Sequence, residues 1–240
     1  MRHLKVNISV IVFVCFLAPL FAQTEIAGIG PFKIGVTSTQ IIHQLESELE
    51  TNCIKVYSGT QFYNVRRSSK VFIAELIPDT LNEYSSPTYA SFCPNTRVFY
   101  VSQYSVSGVE IKEAYLKFFD DQLYELLCER TSELIEALTI KYGEPKIEQR
   151  DSYTDCGYFS SANTIKLKTY SITQEWRNNN VIANGCIYNR YNSECEESLG
   201  SYFSIYNLDT TTAERLCNDA RREQMDAKKK EIKRTKLSDF

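Results

Sequence analysis

Apolar residues recur along this chain with two different periods, and the switches between them divide it into helical and extended stretches. Ile41, Ile42, Leu45 and Leu49 fall at the three-to-four spacing of one helix side, with Glu46, Glu48 and Glu50 between them. Thr37 followed by Gln40 reads as a capping box, in which each side chain satisfies a free backbone N–H of the first turn, so the spacing predicts a helix over 38–50. Ser132 as cap, Glu133 in the first turn, and Leu134, Ile135, Leu138 and Tyr142 on one side predict a second helix, stopped by Gly143 and Pro145. Thr211 and Glu214 form another capping box for a third. Its apolar side (Leu216, Ala220, Met225) gives way to the charged stretch Asp226 to Phe240, expected to project as a solvated helix.

Between the helices the period drops to two, or to short apolar runs bounded by turn residues. Ile54 to Tyr57, Lys70 to Ile77, Arg97 to Tyr104, Val109 to Phe119 and Leu123 to Cys128 read as strands, with Asp120-Asp121-Gln122 as a tight turn. The clearest alternation is Tyr170, Ile172, Gln174 and Trp176 against Ser171, Thr173 and Glu175, followed by an Asn-rich turn over 177–180 and a returning strand, Val181 to Tyr188. Pairing Trp176 with Val181 puts Tyr170, Ile172, Val181, Ala183 and Ile187 on one buried face and Cys186 on the other. Leu199 to Asn207 adds a further strand, and Pro78 to Pro94 is the longest irregular segment.

Strand meanders with few helices predict an α+β fold, antiparallel sheets carrying helices on one face. Helix followed by strands occurs twice, which suggests related halves at 23–128 and 129–210, with a charged C-terminal helix over 211–240. Before these lies a different pattern: basic Arg2 and Lys5, an apolar run from Val10 to Phe21, and small Ala22. This reads as a signal peptide over 1–22. Its apolar core is too short for a membrane span, which needs about 20 residues, and no second run follows. The mature chain is therefore expected to be exported, with no transmembrane segment.

Cleavage after Ala22 leaves 218 residues at a formal charge of −5. From Ala213 to Phe240 nine Lys or Arg face six Asp or Glu, so the body before this tail is about −8. An acidic body argues against a nucleic-acid partner. Seven cysteines remain once Cys15 is removed, and an oxidising compartment makes disulfides their expected state. Cys128 ends an apolar stretch and is expected as the free thiol. Cys53 is expected to pair with Cys93, leaving Cys156, Cys186, Cys195 and Cys217 to form two bridges of undetermined connectivity.

Catalytic signals are sparse. His43 is the one histidine left after cleavage and lies off the apolar stripe of its helix; no nucleophile elbow accompanies it. Without CxxC spacing or further histidines, no metal is expected, and no calcium loop occurs. Gly28, Gly30 and Gly35 match neither phosphate-cradling pattern, so no cofactor is expected and the glycines read as shaping an edge strand and turn. Asp120 with Asp121, and Glu196 with Glu197, are adjacent carboxylates, which a strand points in opposite directions.

Sixteen tyrosines are the remaining unusual feature, and Tyr188, Tyr191 and Tyr202 flank the Cys195 loop. Tyrosine joins flat apolar area to a polar tip, which suits contact surfaces. The composition points to a non-catalytic exported protein that binds another macromolecule, a protein or envelope partner, through an aromatic-rich sheet face. Two alternatives stand beside it: a cell-wall or glycan hydrolase using paired carboxylates, and a structural envelope protein whose basic tail docks to a complex.

Phe32-Lys-Ile-Gly35-Val-Thr37 running into a capped helix, and Leu116-Lys-Phe-Phe-Asp-Asp-Gln-Leu123 followed by a helix ending Lys141-Tyr-Gly-Glu-Pro145, resemble small exported bacterial modules. In the beta-lactamase-inhibitor-protein-like and outer-membrane small-lipoprotein families a short helix precedes a strand meander. The resemblance implies a bacterial periplasmic or secreted protein. Cys15, inside the apolar core without small residues before it, does not match a lipidation site.

Overall fold

The computed structural model describes residues 25–68, 70–80, 82–156 and 165–238; the leader over 1–22 lies outside these. A hairpin of β1 (Gly28–Ile29) and β2 (Phe32–Lys33) leads into α1 (Ile41–Glu48). Then come β3 (Cys53–Val56), α2 (Gly59–Arg66), β4 (Ile73–Leu76), β5 (Thr96–Val106), β6 (Val109–Phe119) and β7 (Gln122–Cys128). The second part runs α3 (Ser132–Tyr142), β8 (Lys146–Cys156), β9 (Ile165–Asn178), β10 (Val181–Tyr191), β11 (Glu197–Asn207) and α4 (Leu208–Ser238). The fold is α+β. Its nine-stranded sheet has the order β3-β4-β5-β6-β7-β11-β10-β9-β8, antiparallel except between β3 and β4.

Tight turns set the registers. Asp120 and Asp121 both take positive φ (48° and 64°), the conformation of a turn whose twist matches its flanking strands. Asn179 starts the next such turn, so Asn178 pairs with Val181 and Trp176 with Ala183. The expected pairing of Trp176 with Val181 is therefore off by two residues. A shift of two preserves the faces: Ile172 now opposes Ile187 on the same side, while Cys186 points the other way. In β7 one extra residue bulges: Lys117 pairs with Glu125 but Phe118 with Leu123, which brings Leu123 into the same core as Leu126 despite their odd spacing.

The helices divide between the two faces instead of sharing one. On the first face Ile41, Ile42 and Leu45 of α1 and Leu134, Ile135 and Leu138 of α3 pack with Phe99, Leu116, Phe118, Leu126, Ala183 and Phe203. On the second, Phe62 of α2 meets the rings of Tyr100 and Tyr115 edge-on at 5.0 and 6.3 Å. Alternation along β5 decides this: Phe99 and Val101 face α1, Val98 and Tyr100 face α2.

Helix starts differ from those expected because the capping residues are used elsewhere. Thr37 Oγ1 accepts from Lys33 N at 2.8 Å and donates to Pro31 O at 2.8 Å, bracing the β1–β2 hairpin, so α1 begins only at Ile41. Thr131, one residue before Ser132, caps α3 by accepting from Leu134 N at 3.1 Å. Asn207 caps α4 through Thr210 N at 3.0 Å, while Glu214 accepts from Ser91 Oγ.

That contact starts the fastening of α4 to the body, ahead of the stretch from Asp226 that is expected to project. Asn218 Oδ1 accepts from Phe92 N at 2.7 Å, and Cys217 is bonded to Cys93. A second disulfide joins Cys156 to Cys195. Cys93 therefore bonds to Cys217 and not to Cys53, which lies on β3 at the sheet edge, and Cys186 bonds to no cysteine; Cys53, Cys128 and Cys186 are thiols.

Candidate interaction surface

On the second face the helices end at the middle of the sheet. There α2 covers β4 to β6 and α4 leaves from β11 across β7, and among the described residues no helix packs extensively on this side of β9 and β10. That side of the strands carries Thr173 and Glu175 on β9, Asn184, Cys186 and Tyr188 on β10, and Tyr202, Ser204 and Tyr206 on β11; Cys186 and Ser204 are buried, Tyr202 is exposed and the others are half-buried. Ion pairs Glu175–Arg177 (3.1 Å) and Glu148–Arg150 (2.7 Å) border it.

Tyr188 stands directly opposite Gly200, and Cys186 opposite Tyr202. A Cβ at position 200 would lie 2.4 Å from Tyr188 Cζ, so only glycine lets the phenol ring lie across β11. The rings of Tyr188 and Tyr202 are 6.3 Å apart at 57°. Tyr202 is 40% exposed, and burial of its remainder, then the Cys186 thiol, push its hydroxyl up to about 12. Burial also raises Tyr206. These hydroxyls are protonated at neutral pH and available as donors and acceptors.

Of the three tyrosines singled out from the sequence, the structure brings together Tyr188 and Tyr202. Tyr191 pairs with Glu197 at an odd position of β10 and so belongs to the opposite face. Tyr206 joins them instead. The period-two spacing of Tyr202, Ser204 and Tyr206 in the sequence carries that signal.

Beyond Tyr188 the sheet divides. The β9–β10 ladder ends at Ser171 and Tyr188, and the buried Asn189 side chain takes its place. Asn189 Oδ1 accepts from Tyr170 N at 2.6 Å, and Nδ2 donates to Glu197 Oε1 at 2.8 Å and Lys168 O at 3.3 Å. The Cys156–Cys195 bond ties the end of β8 to the β10–β11 turn, closing this corner.

The other candidate groups are committed locally. His43 is exposed, with Nδ1 2.9 Å from Glu46 Oε2. Gly28 and Gly30 shape the β1–β2 hairpin. Asp121 accepts from Thr39 N at 3.2 Å and from Thr39 Oγ1, and these bonds lower its pKa. Glu196 accepts from Asn192 Nδ2 at 2.9 Å and Glu197 from Asn189. Burial pushes the Cys53 thiol up to about 11 and Cys128 up to about 12, the reverse of nucleophile activation. Among the described residues no three His, Cys, Asp or Glu side chains gather as for a metal ion.

One cleft does collect carboxylates. Glu25, Glu144 and Glu175 line about 310 Å³ together with Tyr142, Trp176 and Arg177. Trp176 Nε1 donates to Gly143 O at 2.7 Å, which fixes the indole at its wall.

Flat aromatic area with polar tips, bordered by paired charges, is the chemistry of a protein contact surface: the centre loses water cheaply and the rim orients. No family model matches this chain, and neither the curated proteins nor the solved structures give a match.

Proposed function

We propose that this is a non-catalytic exported protein that binds another protein through the open face of β9 to β11. The supporting observation is that Tyr188, Tyr202 and Tyr206 share one sheet face on which, among the described residues, no helix packs extensively over β9 and β10. The two disulfides fit an oxidising compartment, and among the described residues no helix is long and apolar enough to cross a membrane. Three strands at ~4.8 Å spacing and about seven residues at ~3.4 Å each span roughly 340 Å². A standard interface takes about 800 Å² from each partner. The partner must therefore also engage the rim, where Glu148–Arg150 and Glu175–Arg177 lie.

The immobilised chain should capture a defined protein from an extract of its own cells. Tyr188→Ala with Tyr202→Ala should lose it, while Tyr191→Ala, on the other face, should retain it. Equal capture by the double variant and by Tyr191→Ala defeats the reading.

A second reading, glycan hydrolysis, has one observation in its favour: the cleft that sets Glu25, Glu144 and Glu175 around Tyr142 and Trp176. Aromatic walls stack on sugar rings and a carboxyl pair performs acid–base chemistry. Release of reducing ends from cell-wall glycan, abolished by Glu144→Gln, would establish it; no release would remove it.

A further inference from the structure

Between the β1–β2 hairpin, the β5–β6 turn and α3 lies a second cleft of about 270 Å³, walled by Ile29, Gly30, Val106, Val109, Ala137 and Leu138. Its lining is mostly carbon, in contrast to the carboxylate cleft next to it, with which it shares Tyr142. Tyr142 Oη donates to Gly28 O at 2.8 Å, which pins the hairpin to the end of α3 and holds the cleft's depth.

Two lysines stand at that end. Lys141 lines the cleft, its Nζ 4.8 Å from the Tyr142 ring centroid. Lys33 lies directly across the hairpin from Gly28, which also lines the cleft. Neither forms an ion pair with a carboxylate among the described residues. The arrangement is electrostatically unfavourable as it stands: partial burial and the nearby Lys141 charge both lower the Lys33 pKa. An anion between the two ammonium groups would relieve it.

We propose that this cleft binds a fatty carboxylate, the acyl chain lying between the hairpin and α3 and the carboxylate between Lys33 and Lys141. The apolar walls select the chain, because removing its methylenes from water supplies the affinity. The lysines select the head group, because two cations beside an apolar wall discriminate a carboxylate from an alcohol of the same length. The site is separate from the tyrosine face and does not depend on it.

Calorimetric titration with dodecanoate below its micelle concentration tests this. One molecule should bind per chain, and Lys33→Gln and Lys141→Gln should each weaken binding about five-fold, the size of an exposed charge contact. Dodecanol should bind more weakly than dodecanoate. Ala137→Phe should abolish binding by filling the cleft; Ala137→Ser, which keeps the fold while wetting the wall, should weaken it. Tyr188→Ala should leave it unchanged. Absence of binding, equal affinity for the alcohol, or indifference to both lysine substitutions overturns the proposal.

Discussion

Cys93 and Cys217, 124 residues apart in the chain, are covalently joined, so the loop before β5 carries the third turn of α4. Around the bond Ser91 donates to Glu214, Phe92 N donates to Asn218, and the Arg222 guanidinium lies 5.3 Å from the Phe92 ring centroid. The helix has little apolar surface of its own, so this cluster holds it.

Cys93→Ser with Cys217→Ser should therefore lower stability by about 2–5 kcal/mol, since closing so long a loop removes much of the unfolded chain's freedom. Denaturant unfolding reads the loss, and hydrogen exchange should show α4 exposed before the sheet opens. Unchanged exchange over 208–225 would show that the helix is held by other contacts.

Gly200→Val should displace the Tyr188 ring. A Cβ has no room there, and the distortion should cost about 1–3 kcal/mol. A tyrosine that swings off β11 changes near-ultraviolet circular dichroism, so an unaltered spectrum contradicts the close approach.

Asn189→Leu keeps the branched shape but removes the acceptor for Tyr170 N and the donor to Glu197. A buried backbone N–H left without a partner costs about 1–3 kcal/mol. Asn189→Ala, with room for a water, should cost less, and the order of the two midpoints checks the account.

Alkaline pH should weaken the fold. Burial, then the Cys186 thiol, push Tyr202 up to about 12; burial, then the bond to Glu48, push Tyr104 up to about 12. The unfolded phenols ionise near the usual value of about 10. Below that pH both states are protonated and nothing is lost; between about 10 and 12 the unfolded state sheds protons first, so stability falls. Spectrophotometric titration should show phenols ionising late, and Tyr202→Phe should flatten the decline. On the acid side Glu46 works in the opposite sense. Its pKa is lowered, first by the backbone N–H of Cys53 and then by His43, so its contribution is present above the ordinary carboxylate range and disappears as pH falls below it.

Elements that bury one face were legible. Val109–Phe119 and the faces of β9 and β10 follow from alternation, and the face assignment survives a two-residue error in register. Two elements were not. Ten of the eleven residues of β8 are exposed or nearly so, so this edge strand has no apolar period to read. In α2 only Phe62 is buried, too little to mark a helix.

The candidate surface divides in the same way. Tyr188 and Tyr202 are conspicuous by composition, and proximity in the chain groups Tyr191 with them. Parity along β10 sends Tyr191 to the other face, and the pairing of β10 with β11 brings in Tyr206.

By itself the amino-acid order determined which residues alternate, where Asp and Asn turns reverse the chain, and that the class is α+β. These are local properties, decided by backbone sterics within a few residues. Only the tertiary structure decided that Cys93 meets Cys217, that the helices take opposite faces, and that Tyr188, Tyr202 and Tyr206 share one side of β10 and β11. Each of these depends on contacts between residues far apart in the chain, whose pairing no local periodicity encodes.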